Sequence, residues 1–332
     1  VYMNNMEQSL QYKYVLTCEE LADLCGTTEN KIKENFNQSE ILSIRGGKTV
    51  IPPFAVKFFL KKKGFDYSCH VLAIINMRGG IGKTTTSINT ATRAKQYGFK
   101  TCIIDMDPQG STTLAFDKTP EADDPIFYDI WQKPDEMVMG TIKKIDEDLY
   151  IIPSSLENGL LDASLINPSH QKNAVKNVCN VLKANGFEMI IIDNPPSLGT
   201  AVISSVCAAD TIVVPMFSDA FSFRGLDITI NEIHSICSTF NMNEPKVRIL
   251  FSKYDRREKA SEIALLELED RYSKYFIPFP IRTSTEFSKA LQRRETIFAS
   301  HRKSSAKEDY DMYVKHILGL DKIYKQNGEN CG

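Results

Sequence analysis

The sequence predicts an α/β fold, a mostly parallel sheet flanked by helices, with a small helical module at its N-terminal end. Short β-branched runs recur at 71–76, 101–105, 149–152, 189–193, 211–215, 247–251 and 277–281, and helical segments separate most of them. These runs are apolar throughout rather than alternating, as strands covered on both faces should be. Before residue 66 the pattern changes to short helices and a hairpin, which divides the chain into a module at 1–66 and a sheet domain at 67–332. Residues 117–148, rich in Pro, Asp, Glu and Lys, read as a looser helical excursion from the sheet.

A chain of 332 residues can hold one large and one small domain. Its 42% hydrophobic and 25% charged content is that of a soluble globular protein. The net charge of −2 excludes a globally cationic nucleic-acid binder, so any such contact has to come from local patches. The eight cysteines form no Cys-x-x-Cys pair and the five histidines lie apart from them, which argues against zinc or iron–sulfur ligation. No signal peptide is evident, so buried reduced thiols and a cytoplasmic location are expected. The apolar runs are too short to span a bilayer. Tyr310, Tyr313, Val314, Ile317 and Leu318 make a short helical stripe, expected to pack as a surface helix rather than to target a membrane.

The run Gly79-Gly80-Ile81-Gly82-Lys83-Thr84-Thr85 has the parts of a phosphate-binding loop. Such a loop needs consecutive backbone N–H groups aimed at the β- and γ-phosphates, which glycine permits. It also needs a lysine to neutralise charge and a hydroxyl for Mg²⁺. The run at 71–76 supplies the strand before the loop, and the segment from Thr85 onward the helix after it, whose N-terminal dipole favours anions. The strict Gly-x-x-x-x-Gly-Lys-Thr spacing fails, because Met77 stands where the first glycine belongs.

The variant Asn76-Met77-Arg78-Gly79-Gly80-Ile81-Gly82-Lys83-Thr84-Thr85-Thr86, with Asn89, resembles the deviant Walker A loop of the ParA/MinD ATPases. In that family a lysine before the two glycines reaches across a nucleotide-sandwich dimer. Here Arg78 stands in its place, keeping the charge and a bidentate grip on phosphate but changing the reach. Arg78 acts either in trans or on the phosphates of its own subunit. Ile103-Ile104-Asp105-Met106-Asp107-Pro108-Gln109-Gly110-Ser111 looks like the family's second motif. Two residues apart on an extended strand, its carboxylates are expected to point the same way. By resemblance Asp105 supports the Mg²⁺ shell and Asp107 orients the attacking water, as phosphoryl transfer requires. Asp193, ending the run at 190–193, resembles the Walker B carboxylate acting on Mg²⁺. Asn194 follows it where the family more often has threonine. Ser252-Lys253-Tyr254-Asp255 superficially resembles the guanine-reading Asn-Lys-x-Asp, but the missing Asn favours ATP. The likeness covers residues 70–320 and implies catalytic roles for Arg78, Lys83 and Asp107. It also implies nucleotide contacts from Gly79 to Thr85, and Mg²⁺ at Thr84, Asp105 and Asp193.

Thr17-Cys18-Glu19-Glu20 reads as a capping box opening a helix, Gly26 as a turn, Thr27 or Thr28 as the next cap, and Ile32 as the residue that packs the second helix back. Residues 41–44 and 49–51 read as a β-hairpin with Arg45 and Lys48 at its tip, and Pro52-Pro53 as the start of a helix ending in Lys61-Lys62-Lys63. Residues 41–63 carry six basic side chains and no acidic one. This resembles the winged helix-turn-helix module at the front of the larger plasmid-partition ATPases, with DNA contacts from Thr28, Lys31, Arg45 and Lys48. A second basic stretch, 253–303, holds twelve Lys and Arg against eight Asp and Glu. Arg256, Arg257, Arg282, Arg293 and Arg294 are its candidate contacts to non-specific DNA.

The resemblance therefore implies a plasmid or chromosome partition ATPase using ATP and Mg²⁺, nucleoid-associated, dimeric with ATP, and stimulated by a ParB-like centromere-binding protein. Operator binding and autorepression through the front module would accompany that role. No stable membrane association is expected. A nucleotide-responsive transcriptional regulator and a MinD-like membrane-cycling ATPase stay open as alternatives.

Overall fold

Thr17 and Glu20 cap one another. Glu20 N donates to Thr17 Oγ1 at 3.1 Å and Thr17 N donates to Glu20 Oε2 at 2.9 Å, the reciprocal bonding the sequence predicts for this helix start. The computed structural model describes residues 13–44, 46–219, 222–321 and 323. Its N-terminal part contains β1 (Leu16–Thr17), α1 (Cys18–Cys25), α2 (Glu29–Lys33), β2 (Leu42–Ser43), β3 (Thr49–Ile51) and α3 (Pro53–Lys62). Gly26 ends α1 in the left-handed region at φ 62°, and Thr28, not Thr27, caps α2. The three strands pair antiparallel in the order β1-β3-β2. Arg45, expected at the hairpin tip, lies outside the described residues.

The large sheet is built from β4 (His70–Ile74), β5 (Thr101–Asp105), β6 (Lys143–Asp146), β7 (Leu149–Ile152), β8 (Met189–Asp193), β9 (Thr211–Met216) and β10 (Lys246–Phe251). These seven strands lie in the order β10-β9-β4-β8-β5-β7-β6. All neighbours are parallel except β6, which runs antiparallel to β7 at one edge. Alternate residues of each strand enter opposite layers. Leu72, Ile74, Ile103, Ile191 and Val213 face one layer, and Ala73, Ile104, Ile190, Ile192 and Val214 the other. The first layer holds α4 (Lys83–Gln96) and, at the C-terminal end, the helix Ser305–Leu318. The second holds the long helices Pro168–Ala184 and Ser222–Thr239, with Thr200–Ala208 between them in sequence.

The N-terminal part shares the first layer. Leu16, Leu21, Leu24, Ile32, Val56 and Leu60 belong to one continuous apolar cluster with Ile88, Ala91, Tyr313 and Val314. Residue 66 thus marks a change of architecture without a break in the core. The stripe at Tyr310, Tyr313 and Val314 is buried against α4, as a packed surface helix requires.

Two expectations are corrected. Residues 277–281 form no regular strand, although Ile277 N reaches Ile249 O at 3.0 Å and Ile281 N reaches Phe251 O at 2.7 Å. Phe279 N turns back onto Ile277 O at 2.7 Å, so four residues of the segment pass over two of β10 and no regular ladder forms; Pro278 and Pro280 carry no N–H of their own. Conversely, the excursion at 117–148 holds the helices Phe127–Ile130 and Pro134–Thr141 but ends in β6, a polar edge strand with little apolar signal.

Candidate functional site

The phosphate loop joins the end of β4 to the start of α4. Gly80 at φ 73° and Gly82 at φ 94° occupy the left-handed region, which explains the glycines there. A β-carbon added at Gly79, Gly80 or Gly82 would meet nothing within 4 Å, so there is open space beside the loop's glycines. Ile81, 1% exposed, anchors the loop to the core. Lys83 Nζ donates to Arg78 O at 2.8 Å across the turn. Burial lowers its pKa, while the charges of Asp193 and Asp107 favour the ammonium. Asn89, the last residue of the loop motif, is structural: its carboxamide accepts from Ile297 N at 3.2 Å and donates to Thr85 O at 2.8 Å.

Parallel pairing of β5 with β8 sets Asp105 opposite Asp193 at the strand ends. Asp193 Oδ2 accepts from Thr84 Oγ1 at 2.9 Å and Thr112 Oγ1 at 2.6 Å, and Oδ1 accepts from Ser87 Oγ at 3.0 Å. Asp105 Oδ2 accepts from Thr113 N at 2.8 Å and Thr113 Oγ1 at 2.7 Å, and Oδ1 from Asp107 N at 3.2 Å. Burial pushes both carboxyl groups up, and for Asp105 the neighbouring Asp193 charge adds to it. Two carboxylates so placed call for a cation.

The expectation that Asp105 and Asp107 point the same way rests on an extended strand, and Asp107 lies beyond the end of that strand. The strand ends at Asp105, so two-residue alternation stops there. Asp105 is fully buried under Thr113, whereas Asp107 is half-exposed, its Oδ1 accepting from Gln109 N at 3.0 Å. Asp105 therefore holds the turn that carries Asp107.

Arg78 forms an ion pair with Asp219 and lies 5.2 Å from the centre of the Phe217 ring. Lys253 approaches the same ring at 5.0 Å and donates to Gly80 O at 2.8 Å. The loop after β9 and the loop after β10 thus grip the phosphate loop from the side.

The AAA_31 family model, described as an AAA domain, matches residues 69–246, more than half of the chain. The chain belongs to that family. It is a ParA-type P-loop ATPase. An uncharacterised protein of Methanocaldococcus jannaschii is 30% identical over 236 residues, covering 69% of this chain and 90% of that protein. The chromosome partitioning protein ParA of Caulobacter vibrioides is 25% identical over 255 residues, covering 76% and 95%. Among solved structures, the ATP complex of a Cyanothece McdA variant superposes with a TM-score of 0.67 at 21% identity, covering 76% of this chain and 96% of that one.

The site of this AAA-domain ATPase fits ATP with Mg²⁺: an open glycine cradle, one lysine, and a threonine hydroxyl held on a buried carboxylate. Sequence reasoning missed Ser87, Thr112 and Thr113, whose hydroxyls orient the two aspartates, and Phe217, Asp219 and Lys253, which hold the loop. The pair Thr112-Thr113 directly after the second motif and Ser87 directly after the phosphate-loop run were the available signals; Phe217, Asp219 and Lys253 are distant in sequence. Asn194 is buried and structural, bonded to Ser205 Oγ at 2.8 Å.

The DNA-contact candidates are scattered. Arg256, Arg257 and Arg282 line one open groove with Tyr254 and Thr283. Arg257 forks onto Asp255, with its Nη2 at 2.6 Å, and Arg282 onto the buried Asp309, also at 2.6 Å. Arg293 pairs with Glu295 at 3.3 Å, and Arg294 pairs with Asp117. In the front module Thr28 and Lys31 are exposed, while Lys48 Nζ donates to His301 O at 2.7 Å. No helix among the described residues is long and apolar enough to cross a membrane.

Proposed function

We propose that this ATPase drives DNA partition through a cycle of ATP-dependent dimerisation and hydrolysis. The observation that carries the reading is the convergence of Lys83, Thr84, Asp107 and Asp193 around one open glycine loop, with a second cation, Arg78, beside it. Lys83 neutralises the β- and γ-phosphates, and the loop N–H groups with the α4 dipole complete the cradle. Thr84 and Asp193 hold the Mg²⁺, whose charge offsets the phosphate oxygens. Asp107 accepts a hydrogen bond from the attacking water and aligns it. Asp105 keeps Asp107 in place through the Asp107 N–H.

Arg78 serves the partner subunit's phosphates after leaving Asp219, which couples dimerisation to nucleotide. The ATP dimer binds DNA non-specifically through the groove of Arg256, Arg257 and Arg282, with Arg293 and Arg294 contributing as their carboxylate partners yield to phosphate. A ParB-like centromere-binding protein accelerates hydrolysis and releases the dimer. Operator binding falls to α2, where Thr28 and Lys31 face solvent. Lys48, tied to the His301 carbonyl, supports the hairpin instead.

The test is binding of random-sequence duplex DNA in the apo, ADP and ATP states across a salt series, with Lys83→Ala as control. The reading expects binding with ATP alone, a steep loss with salt and none for Lys83→Ala. Equal binding in apo and ATP states would sink it.

A further inference from the structure

Behind the turn that carries Asp107 runs a polar segment that follows β7. Its Ser154 and Asn158 are each 3% exposed, and side chains buried so fully need partners. Ser154 Oγ donates to Asp107 O at 2.7 Å. Asn158 Nδ2 donates to Ser154 Oγ at 2.8 Å and to Asp105 O at 3.3 Å. The opposite side of the same carboxamide is occupied too, since Asn158 Oδ1 accepts from Tyr128 N at 3.0 Å.

Chemistry sets the direction of this chain. A backbone carbonyl can only accept and an amide N–H can only donate, so the Ser154 hydroxyl gives its one proton to Asp107 and receives one from Asn158. Successive bonds of this kind strengthen one another in a low-dielectric interior. The segment is also pinned at both ends. Ser154 N donates at 2.9 Å to Thr113 Oγ1, the hydroxyl that itself holds Asp105. Beyond Asn158, Asp162 Oδ1 accepts from Thr200 N at 2.6 Å, where the helix after Asp193 begins. A β-carbon on Gly110, at the end of the Asp107 turn, would stand 3.3 Å from Ser154 O, so turn and segment are closely apposed.

We infer that Ser154 and Asn158 are positioning residues for hydrolysis, holding Asp107 by its carbonyl while Asp105 holds it by its N–H. The inference rests on the water-orienting role proposed above for Asp107. That carboxylate is half-exposed, so its aim depends on the backbone that carries it more than on packing around it. A water-orienting group that drifts loses rate, because alignment supplies much of what such a group contributes. Nucleotide affinity rests instead on the phosphate loop and the Mg²⁺ ligands. Loss of the Ser154 bond therefore reaches turnover and leaves affinity alone.

Single-turnover phosphate release and calorimetric ATP titration of the full chain test this in a double-mutant cycle. Ser154→Ala is expected to slow hydrolysis about 3- to 10-fold, the worth of one hydrogen bond, with ATP affinity at the wild-type level. The same substitution added to Asp107→Ala is expected to cost nothing further, since a group acting through Asp107 then has nothing to position. Asn158→Ala, which leaves Ser154 in place but removes its donor, should repeat the pattern, and it carries the test if Ser154→Ala fails to fold. An unchanged rate, an equal loss in both backgrounds, or ATP affinity falling in step with the rate overturns the inference. Normal turnover in Asp107→Ala alone would instead remove the water-orienting reading on which it rests.

Discussion

The guanidinium Nη1 of Arg93, on the last turn of α4, lies 3.1 Å from Glu20 Oε1 in the N-terminal module. Its Nε donates to Asp311 Oδ1 of the C-terminal helix at 2.7 Å. Arg93 is 1% exposed and packs over the rings of Tyr97 and Phe298 at 4.8 and 5.0 Å. Its neighbours continue the seam: Lys95 Nζ donates to Tyr14 O at 2.8 Å, and Gln96 Nε2 to Val15 O at 3.1 Å. The helix that starts at the phosphate loop therefore ends inside the module. A charge buried so completely is tolerated because two carboxylates and a carboxamide surround it.

Glu20→Ala should be among the most destabilising single changes in the module. It removes the capping box and strips one partner from a buried guanidinium, at a cost of about 3–5 kcal/mol. Calorimetry should register a Tm lower by several degrees. A loss below about 0.5 kcal/mol would place this seam among ordinary surface contacts.

The same residue sets an acid limit. Burial raises the Glu20 pKa, but the Arg93 and Lys307 charges and the Thr17 bonds outweigh it and hold the carboxyl well below its usual range. With a depressed folded pKa, the stabilisation is complete above the unfolded value of about 4.3 and drains away as pH falls below it. Urea midpoints measured from pH 7 to pH 2.5 should therefore fall less steeply in Glu20→Gln than in the wild type. Parallel curves would contradict the assignment.

Gly98 is pressed against α3. A β-carbon there would stand 2.6 Å from Lys57 Cβ and 2.8 Å from Pro53 O, at a φ of 89°. Gly98→Ala is expected to cost about 2–4 kcal/mol, from overpacking and backbone strain together. The urea midpoint checks this.

Asp107→Ala should retain ATP binding and lower kcat by about 10²-fold or more. Filter-binding and phosphate-release assays on one preparation separate the two effects. Normal turnover would move the water-orienting role elsewhere.

Arg78→Ala should bind ATP but lose the ATP-dependent dimer, and Asp219→Ala, which removes the carboxylate paired with Arg78, should strengthen that dimer. Analytical ultracentrifugation with ATP reads both. An unaffected dimer in Arg78→Ala would confine Arg78 to its own subunit.

Much of the site was legible because its parts are local. Gly79 to Thr85 is one continuous turn, and Asp105 and Asp193 each close an apolar run whose length alone marks a buried strand. The Thr17 capping box was readable for the same reason, since its partners are three residues apart. The strand at 143–146 was not, because an edge strand needs neither apolar faces nor β-branched residues. The run at 277–281 misled because its apolar content outweighed two prolines, and Phe279 N turns back onto Ile277 O instead of continuing a ladder.

By itself the sequence determined six of the seven strands of the large sheet, the phosphate loop and the carboxylates at its edge, since each is marked by residues adjacent along the chain. Tertiary structure alone decided which charges are spent. Lys48 meets the His301 carbonyl across 253 positions, Arg93 meets Asp311 across 218, and Lys253 meets Gly80 across 173. No local pattern encodes such partners. They follow from how the two layers close over the sheet, and that closure turns a front module into part of the ATPase core.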